Sequence, residues 1–138
     1  MSPGPGPGVD LIRLALRRAG RVRFRVLGGS MRPSLHDGDV VSVVPADFGQ
    51  LAVGDVICYE REHGRLAVHR LVARDGAYLV TKGDALSWVD RVHAGRVLGR
   101  VATVERRSLR ERLHTWLARA GRGLRRPWRG LRRMLGHA

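Results

Sequence analysis

The chain has 138 residues, 26 of them basic and 12 acidic, for a formal charge of +14. Roughly 100 to 200 residues suit one hydrophobic core, which argues against two full-sized domains. The single cysteine, Cys58, excludes an internal disulfide framework and a cysteine-rich zinc site.

Lys82 is the only lysine; the other 25 basic residues are arginines, the side chain suited to phosphate and lipid headgroup partners. Their distribution is uneven. Residues 21–104 hold 12 basic against 9 acidic side chains, whereas residues 105–138 hold 11 against 2. The excess charge therefore describes an appendage rather than the central domain.

In chain order, residues 1–8 alternate proline and glycine, a composition expected to form a flexible segment. Over 9–20, Leu11, Leu14 and Ala15, with Ile12 and Leu16 beside them, fall largely opposite Arg13, Arg17 and Arg18. This pattern predicts a short amphipathic helix, packed on its own domain or in contact with a membrane. The same arginines interrupt the best N-terminal apolar run, so neither a spanning helix nor a clear signal peptide is expected. A cytoplasmic or peripherally membrane-associated protein is the corresponding expectation.

From residue 21 the period changes to two, with Val22, Phe24 and Val26 alternating with Arg21, Arg23 and Arg25. Further strands are predicted over 39–44, 55–61, 65–74, 77–81 and 96–104, separated by Gly and Asp turns. Short strands without intervening helical patterns predict a mainly β fold, a compact antiparallel barrel or folded sheet over 21–104. Residues 105–138 return to helical spacing, with Leu109, Leu113, Leu117, Ala120, Leu124, Trp128, Leu131 and Leu135 three or four apart. Gly121, Gly123 and Pro127 predict two shorter amphipathic helices rather than one rod.

Chemistry enters with three strings. Gly28-Gly29-Ser30 allows close backbone approach, so that a peptide carbonyl could reach Ser30 Oγ and nearby N–H groups together. Serines in glycine-rich turns are most often turn residues. His69 stands in the otherwise apolar strand 66–72, sharing a face with Ala67 and Leu71 by alternation, and could act as a general base toward Ser30. In the stretch Thr81-Lys82-Gly83-Asp84-Ala85-Leu86-Ser87-Trp88-Val89-Asp90, either aspartate could accept the second imidazole N–H, although such aspartates are ordinarily turn formers. His36, His63, His93, His114 and His137 lack paired metal-ligand spacing and read as surface or packing residues; no metal is expected.

Taken in order, Gly28-Gly29-Ser30-Met31-Arg32-Pro33-Ser34-Leu35, Gly54-Asp55-Val56, His69-Arg70, Lys82-Gly83-Asp84 with Asp90, and Leu98-Gly99-Arg100-Val101 resemble the type I signal peptidase superfamily. The resemblance spans about residues 22–104. It implies a serine peptidase on a mostly β fold that cleaves a precursor or leader peptide after a small residue, without metal or organic cofactor. The histidine at position 69 resembles the endoplasmic-reticulum, archaeal and sporulation-type branch rather than the serine-lysine branch.

On that resemblance Ser30 is the nucleophile, His69 the general base, and Asp90 or Asp84 the acidic partner, with Asp90 favoured and Asp84 a candidate to hold the loop. Lys82 is an alternative base, and the Ser30 backbone N–H a candidate oxyanion donor. Some relatives offer a hydroxyl donor two positions before the nucleophile; Gly28 stands there. Substrate would add as an extended strand.

The resemblance departs from the family in its anchor, since no spanning segment is expected from residues 1–20 or 105–138. The basic tail, with Trp116 and Trp128 near its apolar stripe, is expected to meet an anionic membrane surface ahead of nucleic acid, because base-stacking aromatics are few. A soluble enzyme acting on a cytoplasmic precursor is the other reading. Outside the peptidase class stand a catalytically silent peptide-binding module on the same fold and a self-cleaving regulator. The regulator ranks lower, since about 20 residues before the first strand leave no room for a helix-turn-helix unit.

Overall fold

A computed structural model describes residues 6–123. By contact density the chain forms two compact units, one ending at Arg106 and the other beginning at Arg107.

The first unit opens with helix α1, Pro7–Ala19. It begins two residues before the predicted helix because Pro7 occupies the first turn, where a missing N–H costs no hydrogen bond. Pro7 and Gly8, expected in the flexible segment, are therefore helical; residues 1–5 lie outside the described residues. Val9 and Leu16 are buried while Leu11 stays exposed, so the helix packs on its own unit through one stripe.

Seven antiparallel strands follow: β1 (Val22–Arg25), β2 (Val40–Val44), β3 (Val56–Glu60), β4 (Leu66–Asp75), β5 (Tyr78–Lys82), β6 (Asp90–His93) and β7 (Val97–Glu105). They form one sheet in the order β1-β2-β7-β3-β4-β5-β6, curled into a half-barrel. The fold is mainly β, as the alternation predicts, and six strands lie within a residue or two of the predicted spans. The seventh, β6, carries Val92 as its one aliphatic residue and shows no alternation to read; it pairs along β5 at the sheet edge.

Two clusters make the core. One joins α1 to β2, β3 and β7 through Val9, Leu16, Val41, Val43, Cys58 and Leu98, with Phe24 of β1 packed against it. The other gathers Ile57, Tyr59, Ala67, Leu71, Leu79 and Val92 from β3 to β6. Burial pushes the Cys58 thiol up to about 12, which leaves it a small packing residue rather than a nucleophile.

Helix α2, Leu109–Gly123, belongs to the second unit. Ser108 and Glu111 form a capping box at its start: the Glu111 amide donates to Ser108 Oγ at 3.3 Å, and the Ser108 amide donates to Glu111 Oε2 at 3.2 Å. The helix is described through Gly121 as far as Gly123; the predicted second helix and Pro127 lie outside the described residues. Among the described residues no helix is long and apolar enough to cross a membrane.

Candidate active site

Register places the functional side chains on one face of the sheet. Residues opposite each other in antiparallel strands share a face, and here Ile57 faces His69, Tyr59 faces Ala67, Leu71 faces Thr81, and Thr81 faces Asp90. His69, Tyr59, Thr81 and Asp90 thus come from four neighbouring strands, and the curl of the sheet turns them toward one another.

Ser30 lies in the turn that follows β1. At Gly28 the backbone takes φ +86°, a conformation costly for any residue with a Cβ, and its amide donates to Asp37 Oδ1 at 2.9 Å. Beyond Ser30 the chain winds into a helical turn in which the Leu35 amide donates to the Met31 carbonyl, so Met31 and Leu35 bury their side chains and anchor the turn. Ser30 Oγ then sits 3.2 Å from His69 Nε2.

The other imidazole nitrogen, Nδ1, is 2.9 Å from the Tyr59 hydroxyl, and that hydroxyl donates to Asp90 Oδ2 at 2.7 Å. Thr81 Oγ1 donates to the same hydroxyl at 3.0 Å. A phenol has one hydrogen and two acceptor sites. With its hydrogen on Asp90, Tyr59 accepts from Thr81 and from His69 Nδ1–H. This assignment leaves the Nε2 lone pair facing Ser30, the tautomer a general base requires.

Asp90 Oδ2 itself lies 3.9 Å from His69 Nδ1, too far for a direct hydrogen bond, and also takes Arg61 Nε at 3.3 Å. Asp90 is therefore the carboxylate on the histidine side, acting through Tyr59. His69 is 4 % exposed. Burial pulls its pKa below the ordinary imidazole value; Asp90 and Asp84 oppose that and Arg61 reinforces it, and the net direction favours the neutral ring. The Trp88 ring meets the imidazole edge-on at 6.3 Å, and Arg61 lies over Trp88 at 5.3 Å.

Asp84 occupies a different place. It accepts two bonds of 2.8 Å from Arg70 and one of 2.5 Å from Ser34 Oγ, while Arg70 also donates to the Gly54 carbonyl at 2.8 Å. The paired guanidinium lowers the Asp84 pKa from its ordinary carboxylate value. This clamp ties the Ser30 turn, through Ser34, to the β4 residue next to His69. Gly83 lets the clamp approach: a Cβ there would stand 2.6 Å from the Ser30 carbonyl, which also accepts the Ala85 amide at 2.9 Å.

Lys82 lies opposite Arg70 in the β4–β5 register, and among the described residues no hydrogen bond joins its ammonium to Ser30. The side chain that reaches the serine is His69. Among the described residues the Ser30 N–H makes no backbone–backbone hydrogen bond.

A cleft of about 410 Å³ opens beside Ser30 and His69, lined by Phe24, Val26, Leu27, Leu66, Val68 and Trp88 among others. Two strand edges border it. β1 pairs only with β2, and residues 66–69 of β4 pair with β3 alone, because the β5 pairing starts at Arg70.

Tyr59, Thr81, Arg61 and Arg70 were not legible as site residues. The one signal for Tyr59 is general: a tyrosine inside an apolar strand needs a partner for its hydroxyl. Among the described residues no group of three or more His, Cys, Asp or Glu is placed to hold a metal. No family model matches the chain, and no curated protein matches it.

Proposed function

We propose that the chain is a serine endopeptidase of the signal-peptidase type, cleaving an extended precursor or leader peptide after a small residue. The observation that carries this reading is the 3.2 Å Ser30 Oγ–His69 Nε2 contact, with Nδ1 held through Tyr59 to Asp90.

Ser30 Oγ attacks the scissile carbonyl carbon as its proton passes to His69 Nε2. The imidazolium that forms keeps its Nδ1–H on Tyr59, whose hydroxyl is polarised by Asp90, so positive charge on the ring is stabilised as it appears. The Ser30 N–H faces the developing oxyanion. His69 then gives its proton to the leaving amine, which departs and leaves an acyl-serine. Water, deprotonated by the same Nε2, hydrolyses that ester and frees the serine.

Substrate fit supports the reading. The open edges of β1 and of residues 66–69 offer main-chain hydrogen bonds to an extended peptide, and the apolar lining suits small or apolar side chains.

The test compares wild type, Ser30→Ala, His69→Ala and Lys82→Ala on a peptide library rich in Ala-X-Ala sites. Cleavage is expected to vanish without Ser30 or His69 and to persist without Lys82. Equal turnover by wild type and Ser30→Ala, with liposomes or detergent also supplied, would replace the enzyme with a peptide-binding module.

A further inference from the structure

Outside the cleft, a row of exposed apolar side chains lies on α2. Leu109 is 81 % exposed, Trp116 65 %, Leu113 58 % and Leu117 54 %. At 3.6 residues per turn these four, with Ala120, fall on one face. Isolated exposed leucines need no explanation, whereas a continuous row of this kind marks an interaction site.

The charges have a matching order. Arg110 borders one side of the row, and Arg112 and Arg119 border the other, on either side of Trp116 along the chain. Arg106 and Arg107 precede the helix. The one acidic residue of α2, Glu111, is drawn to the helix start by its capping bond to Ser108. Cations therefore flank the apolar row on both shoulders, and a tryptophan sits within it.

We infer that α2 is an interfacial helix that lies on an anionic bilayer, with Leu109, Leu113, Trp116 and Leu117 in the acyl boundary and the flanking guanidinium groups on lipid phosphates. A plane that is apolar below and phosphate-bearing above matches both features at once. Nucleic acid would satisfy the arginines and leave the leucine row in water. A second copy would cover the row but bring two chains of +14 together. The inference stands apart from the peptidase reading, because its test reads no cleavage.

Flotation of the full-length chain with vesicles of phosphatidylcholine alone, or with 30 % phosphatidylserine, provides that test. At low salt, binding at least tenfold stronger to the anionic vesicles is expected, and 0.5 M salt should weaken it by a similar factor. The Leu113→Glu/Leu117→Glu variant keeps good helix formers and should lose binding more than tenfold. Circular dichroism and an unchanged melting temperature of the sheet unit would establish that this variant is folded. Wild type unbound to anionic vesicles overturns the inference, as does undiminished binding by the folded variant. So does duplex nucleic acid that displaces the vesicles and binds both forms equally.

Discussion

Tyr59 is the residue on which the proposed chemistry turns. It meets His69, Asp90 and Thr81 at 2.9, 2.7 and 3.0 Å, so Tyr59→Phe strips a partner from three groups at once while preserving ring packing. We expect kcat for peptide cleavage to fall about 10²-fold with KM little changed, the loss typical of disturbed acid–base positioning. Stability should drop about 1–3 kcal/mol, seen in urea unfolding, for the unsatisfied polar groups left behind. Retained kcat would remove Tyr59 from the mechanism.

His69 makes a second residue-scale prediction, since only its neutral form accepts the Ser30 proton. Burial lowers its pKa, so the acidic limb of kcat/KM should lie below the ordinary 6.5, with activity rising as pH rises through it. Asp90→Asn removes the leading influence that raises the pKa, so the limb should move further toward acid while the plateau falls about 10²- to 10⁴-fold. A limb above 6.5 in wild type would contradict the buried-imidazole account.

At the scale of elements, the Ser30 turn is held to the sheet by the Asp84 clamp and by the close approach at Gly83. Asp84→Ala leaves Ser34 and Arg70 without their carboxylate and should cost about 1.5–3 kcal/mol, the range for hydrogen bonds to charged groups. Because the folded pKa of Asp84 lies below its unfolded value, that contribution is complete above the ordinary carboxylate pKa and is lost as pH falls through the folded value. The gap in stability between wild type and Asp84→Ala should therefore close in acid, which thermal melts across pH would follow.

Gly83→Ala would push a Cβ to 2.6 Å from the Ser30 carbonyl and, at a typical overpacking cost of about 1–3 kcal/mol, should displace the serine. Its signature is lost cleavage with an intact far-UV spectrum. The six strands read from the sequence are runs of apolar residues between Gly and Asp turns, alternating in β1 and buried on both faces in the middle of β2 and β3. The same pattern passes over β6 because that edge segment, Asp90–His93, is mostly polar, although it delivers Asp90.

At the scale of the whole molecule, the sheet unit and the unit beginning at Arg107 are separately compact. Proline at position 113 should break α2, at about 3 kcal/mol locally. We expect Leu113→Pro to reduce helical ellipticity while the melting temperature of the sheet unit, followed by near-UV circular dichroism, stays unchanged. A clear fall in that temperature would show that the sheet depends on α2.

By itself the sequence determined the β character, the helical spacing seen over 109–123, and Ser30, His69, Asp90 and Asp84 as site candidates, because alternation, helical spacing and short strings are local properties. Only the tertiary structure decided how they combine. Sheet order places β7 between β2 and β3, and the curl of the sheet brings Tyr59 between His69 and Asp90, from positions 10 and 31 residues away from it. The same pairing sends Asp84 to Arg70 instead of the histidine. Strand order, register and curl arise from contacts distant in sequence, and no local pattern carries them.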